Sequence, residues 1–81
     1  MDDHAARAAA EAARGSAGVP DEYTFDSAEK RIIEIAQGPI DRPSPVRDCL
    51  AWVVRFTGDF GWRELAIEDA TGQVVRVERS K

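Results

Sequence analysis

Gly61-Trp-Arg-Glu-Leu-Ala-Ile-Glu-Asp-Ala-Thr-Gly-Gln-Val-Val-Arg-Val-Glu-Arg79 reads as two alternating strands joined by the turn Asp69-Ala70-Thr71-Gly72. Asp favours the first position of a type I turn, and Gly suits the fourth, where a left-handed backbone closes a hairpin with a one-residue bulge. That geometry pairs Asp69 with Gln73, Ile67 with Val75 and Leu65 with Val77. The four apolar residues then share one face, and a one-residue slip would turn them outward, so the pattern supports the register independently of the turn. The opposite face carries Glu64, Ala66 and Glu68 against Glu78, Arg76 and Val74, with Arg76 diagonal to Glu64 and Glu68. Such a cross-strand charge cluster is of small energetic value.

Upstream, residues 46–57 alternate as a long strand, with Leu50, Trp52, Val54 and Phe56 on one face and Cys49, Ala51, Val53 and Arg55 on the other. Gly58-Asp59-Phe60-Gly61 turns the chain, its glycines free to take positive φ. Residues 24–38 read as an amphipathic helix: Asp26 and Glu29 have capping-box spacing, and Ala28, Ile32, Ile35 and Ala36 form one stripe. Ile33 flanks that stripe, Gly38 suits the helix end, and Pro39 forbids continuation. The prolines of Gly38–Pro45 then hold an extended crossover loop.

The fold expected from these elements is α+β, one amphipathic helix packed on a three-stranded antiparallel β-meander, spanning residues 21–81. Its core is Phe25, Ile32, Ile35, Leu50, Trp52, Val54, Phe56, Leu65, Ile67, Val75 and Val77. Residues 1–20 stand apart as an Ala-rich N-terminal arm, with seven alanines from Ala5 to Ala13 and an Arg7/Glu11 pair at helical spacing. Alanine favours helix, yet so short a helix is marginal in isolation. The arm is therefore expected to be frayed, or to become helical by docking its alanine face.

With 81 residues the chain holds one domain at most, and a core this small leaves stability open to support from a partner or a second copy. A net charge of −4 with interleaved basic residues argues against nucleic acid, whose binding depends on phosphate neutralisation. Nine of the eleven basic residues are Arg, which beside the alanine richness suggests a GC-rich bacterial coding sequence. The single Cys49 excludes an internal disulfide. The start has neither the basic nor the apolar region of a secretory signal, and no apolar run matches a membrane span, so a cytoplasmic location is expected.

Catalytic chemistry is hard to find. The only histidine, His4, lies in the arm, far in sequence from Cys49, and a nucleophile needs a positioned base. One His and one Cys give no metal-ligand spacing, and Asp2, Asp3 and His4 offer only adventitious binding. Glu64, Glu68 and Glu78 fall on a flat sheet face with no pocket to shift their pKa values. No phosphate-binding glycine loop is present. The sequence therefore implies no enzyme, no cofactor and no small-molecule substrate. Arg47, Arg55 and Arg76 beside Trp62 form the best candidate platform for stacking nucleic-acid bases, but the neighbouring glutamates oppose it.

A protein-binding surface has more support. Cys49, Ala51, Val53, Ala66 and Val74 are expected to face outward on the sheet, with Trp62 at the rim and Arg76 among them. That face is more apolar than solvation requires, and contiguous exposed apolar area marks interaction sites. Its cover is the arm, a second copy in a homodimer, or another protein.

Trp52-Val-Val-Arg-Phe56 and Asp69-Ala-Thr-Gly72-Gln-Val-Val-Arg-Val77 resemble the closing strands of a PepSY domain, with Ser27–Gln37 in the place of that family's preceding helix; the likeness spans roughly residues 26–79. The resemblance implies a non-catalytic α/β module of the kind found in peptidase propeptides and membrane-linked proteins, binding or restraining a peptidase. It differs from that family's usual setting in its Ala-rich arm and in lacking a signal, a membrane helix or a peptidase. The function expected is thus a small interaction module acting through the outer sheet face or edge, with regulation of a peptidase as the alternative.

Overall fold

The computed structural model describes residues 1–36 and 46–80. Helix α1 (Asp3–Ala13) precedes strands β1 (Thr24–Ala36), β2 (Val46–Gly58), β3 (Gly61–Glu68) and β4 (Val74–Arg79). The strands form one antiparallel sheet in the order β1-β2-β3-β4, so the meander has four strands rather than three.

The extra strand is the segment expected to be the helix. Up to Ala36 it pairs with β2 along its whole length, Ala28 opposite Val54, Lys30 opposite Trp52, Ile32 opposite Leu50 and Ile33 opposite Cys49. Asp26, read as a helix cap, is the extra residue of a bulge between Phe25 and Ser27. Residues 28–36 satisfy both periods, because Ile32, Ile33 and Ile35 suit a pleated surface as well as a helical stripe. Pairing decides the matter. β2 buries Val53 on one face and Val54 on the other, as a central strand does, and without β1 its ladder groups would be an open edge. The stop signals Gly38 and Pro39 and the Gly38–Pro45 loop lie outside the described residues.

The helix comes instead from the Ala-rich arm. Asp2 caps α1 by accepting from the Ala5 N–H at 2.8 Å, and Asp3 in the first turn complements the helix dipole. Ala6 and Ala10, one turn apart, are fully buried, and their small side chains let the helix lie close on the sheet. They share one core cluster with Val19, Tyr23, Val54, Phe56, Leu65 and Ile67. Burial of this alanine face supplies the stability that so short a helix lacks alone. The expected Arg7/Glu11 pair is not formed: Arg7 stacks over Phe25 at 4.2 Å, and Glu11 pairs with Arg14 at 3.5 Å.

Arg14 also fastens the segment that returns from helix to sheet. Its guanidinium lies 4.6 Å from the Phe56 ring centroid, and it donates to the Pro20 carbonyl at 2.8 Å and to the Tyr23 carbonyl. The Tyr23 ring then packs on Gly58, where any Cβ would overlap it.

The β3–β4 hairpin keeps its expected far register, Leu65 opposite Val77 and Glu64 opposite Glu78, and Gly72 is left-handed at φ 73. Near the turn it differs by one residue. Glu68 accepts from the Gly72 N–H and donates to the Gln73 carbonyl, both at 2.8 Å, so the loop encloses Asp69–Gly72 and Glu68 faces Gln73. Ile67 then pairs with Val74, and Val75 is taken up as the extra residue before Ala66 meets Arg76. Val74 consequently packs in the helix-side core and Val75 against the outer-face cluster, the reverse of the expected assignment.

The core shifts accordingly. Val54, Phe56, Leu65 and Ile67 are fully buried, with Phe25 and Trp52 partly so, whereas Ile32 and Val77 are exposed and Ile35 joins the outer-face cluster.

Candidate interaction surface

Alternation along β2 and β3 sends Cys49, Ala51, Val53, Arg55, Glu64, Ala66 and Glu68 to the face opposite α1. Five of the seven expected partner-binding residues, Cys49, Ala51, Val53, Trp62 and Ala66, lie on this face by register, and Arg76 joins them opposite Ala66; Val74 does not. The face is not an open apolar patch. Cys49, Ala51, Val53 and Ala66 are buried, and Ile33 clusters with Cys49, Ala51 and Ala66.

Long charged side chains cover these small residues. Arg55 pairs with Glu64 at 2.7 Å and lies 4.7 Å from the Trp62 ring centroid. Arg47 pairs with Glu68 at 3.2 Å, and Arg31 pairs with Glu29. Arg76 bonds Glu78 at 3.1 Å instead of bridging Glu64 and Glu68, which eases the Glu64–Glu78 opposition from the Glu78 side while Arg55 does so from the other. The stems of these side chains shield the apolar floor while their heads stay wet. Each arginine of the supposed stacking platform is thus engaged with a carboxylate.

Glu68 is the hub of this layer. It accepts from the Thr71 hydroxyl at 2.9 Å, the Cys49 thiol at 3.3 Å and Arg47 at 3.2 Å. These bonds, the Thr71 contact foremost, hold its carboxyl below the usual range. Burial first, and then the Glu68 carboxylate, push the Cys49 thiol up. A protonated, buried thiol is a poor nucleophile.

His4 stands on the first turn of α1, not on a frayed tail, beside a cleft of about 350 Å³ that Ser27 also lines. Among the described residues no hydrogen bond joins its ring to a serine or a carboxylate, and no three His, Cys, Asp or Glu side chains gather as a metal site. No helix among them is long and apolar enough to cross a membrane.

The bare apolar surface is elsewhere. Strands β1 and β2 each run 13 residues, roughly 40 Å, whereas the 11 residues of α1 span roughly 16 Å and β3 has only eight residues. The helix and β3 stop short together. The Asp69 N–H donates to the Leu50 carbonyl at 2.9 Å, and the ladder of β3 on β2 begins at Ala51. Beyond that point, Ile32–Ala36 and Val46–Leu50 form a two-stranded ribbon. On its helix-side face Ile32 is 71% exposed, Val46 54% and the directly paired Leu50 43%. Glu34 stands opposite Asp48 within this row, and among the described residues neither has a basic partner.

Neither the outer-face reading nor the helical reading of residues 24–38 pointed to this row. The signal that could have found it is the mismatch in length between the strand at 46–57 and the strand at 61–68. Comparisons with protein-family models, with curated proteins and with solved structures gave no match to this chain.

Proposed function

We propose that the protein is a small non-catalytic interaction module that binds another protein, or a second copy of itself, through the helix-side face of the β1–β2 ribbon. The observation that carries this reading is the exposed row Ile32, Leu50 and Val46 on a ribbon that neither α1 nor β3 covers. Two-stranded ribbons are marginal in water and gain most from a partner that buries their apolar face. The Glu34–Asp48 pair inside the row favours a partner that brings a basic side chain, since like charges directly opposite are destabilising.

The resemblance to PepSY domains supports the non-catalytic side of this reading. Trp52–Phe56 lies on β2 and Asp69–Val77 covers the last turn and most of β4, while Ser27–Ala36, in the place of that family's helix, is strand. Restraint of a peptidase is the specific form the resemblance suggests.

Sedimentation at rising concentration, with recovery from cell extract, tests the proposal on wild type and on an Ile32→Lys/Leu50→Glu double variant. The wild type self-associates or retains a defined protein that the variant loses at unchanged melting temperature. A wild type that stays monomeric and recovers the same proteins as the variant overturns it.

A further inference from the structure

At the end of the sheet away from the ribbon, the structure carries a second surface feature. Arg63 on β3 and Arg79 on β4 stand directly opposite each other. Like charges so placed repel. Five other arginines, Arg14, Arg31, Arg47, Arg55 and Arg76, each pair with a carboxylate, and Arg7 lies over the Phe25 ring. Among the described residues Arg63 and Arg79 pair with no carboxylate: their chain neighbours Glu64 and Glu78 are taken by Arg55 and Arg76. Asp21, Glu22 and Asp59, close to Tyr23 and Phe60 in the chain, form no ion pair with either.

The two guanidiniums line a cleft of about 630 Å³ with Tyr23, Phe60 and Ser80, a volume in the range of small-ligand sites. Its polar groups are all able to donate. Arg63 reaches across the Tyr23 ring, 5.7 Å from its centroid, with one amino group 3.4 Å from the Trp62 carbonyl. The Ser80 hydroxyl oxygen accepts from the Trp62 N–H at 3.0 Å, which leaves its proton free to point into the cleft. The Tyr23 hydroxyl makes no hydrogen bond to another described residue. Phe60, at the tip of the two-residue β2–β3 turn, is 92% exposed and presents a flat apolar surface at the mouth.

We infer that this cleft binds a small organic oxyanion, a phosphate or carboxylate carried on an apolar or aromatic body. The oxyanion sits between Arg63 and Arg79, where paired guanidiniums suit its geometry, with the Ser80 and Tyr23 hydroxyls as further donors. Its apolar body lies against Phe60. The site is independent of the ribbon, and either can fail without the other.

Titration of the whole chain with phenyl phosphate, benzoate, inorganic phosphate and benzyl alcohol, followed by amide chemical shifts and melting temperature, tests the inference. Phenyl phosphate or benzoate binds saturably and raises the melting temperature, the tighter of the two identifying the anion, while benzyl alcohol does neither. An Arg63→Gln/Arg79→Gln variant binds at least about tenfold more weakly, the loss of charge-assisted hydrogen bonds. Without ligand that variant melts no lower than wild type, because the repulsion is relieved. No saturable response from either aromatic anion, or undiminished binding by the variant, overturns the site. Inorganic phosphate binding as tightly as phenyl phosphate overturns the part given to Phe60.

Discussion

The indole N–H of Trp52 donates to Asp69 Oδ1 at 3.0 Å, joining the middle of β2 to the first residue of the β3–β4 turn. The Met1 ammonium lies 3.5 Å from the same oxygen, so the start of α1 is fastened at this point too. Three parts of the chain distant in sequence meet where the helix begins and the ribbon emerges.

This junction makes acid stability predictable in sign. The Trp52 bond first, then the Met1 ammonium and Lys30, hold the Asp69 carboxyl below its ordinary range against partial burial, and Glu68 is held low by Thr71, Cys49 and Arg47. A carboxyl with a lowered folded pKa contributes stability above its unfolded value, about pH 4, and loses it as pH falls through the folded value. Urea midpoints measured from neutral to acid pH will fall less steeply below about pH 4 in Asp69→Asn and Glu68→Gln than in wild type. Identical acid limbs would refute the junction's role.

Arg14 is the second point of leverage, with its ring stack on Phe56 and its bonds to the Pro20 and Tyr23 carbonyls. Arg14→Ala should cost about 2–3 kcal/mol in urea unfolding, because two partly buried carbonyls lose a charged donor and the stack on Phe56 is lost. Arg14→Lys keeps the charge without the planar fork and recovers only part of that loss.

The docking of α1 can be tested by placing charge on its two sides. Ala10→Glu buries an unpaired carboxylate against Val54 and Phe56 and should cost about 4 kcal/mol, a large share of a small domain's stability. Ala12→Glu, on the exposed side, should stay within about 0.5 kcal/mol of wild type. Equal effects by circular dichroism melting would mean that the helix does not pack as described.

Cys49 provides an alkaline counterpart. Its folded pKa is raised by burial and by Glu68, so its protonated form stabilises the fold below the unfolded value and that contribution is lost as pH rises toward the folded one. Thiol reagents should modify the native protein only as fast as it opens, and Cys49→Ala should remove the thiol-linked loss of stability above about pH 8.5. Rapid native labelling would contradict the burial.

Much of the C-terminal half was legible in sequence. The Leu65–Val77 pairing, the two faces of β2 and the left-handed Gly72 rest on local rules, namely period-two alternation and the freedom of glycine. The one-residue error at Val74 and Val75 arose because a type I turn closed by glycine fits loops of three or four residues, and only the Glu68–Gln73 bonds choose. The outer face was legible as a face but not as a surface. Whether Ala51 and Ala66 meet solvent depends on where Arg47, Arg55 and Glu64 lay their side chains, and spacing does not encode that.

The sequence by itself determined an α+β chain with a closing hairpin, because turn chemistry and alternation act within a few residues. Only the tertiary structure decided which segment became the helix. Residues 3–13 are too short to hold a helix alone and do so by burying Ala6 and Ala10 on the sheet. Residues 24–36, capable of either period, become strand because β2 offers them a complete ladder. Both outcomes rest on contacts between residues far apart in the chain, which no local pattern can weigh.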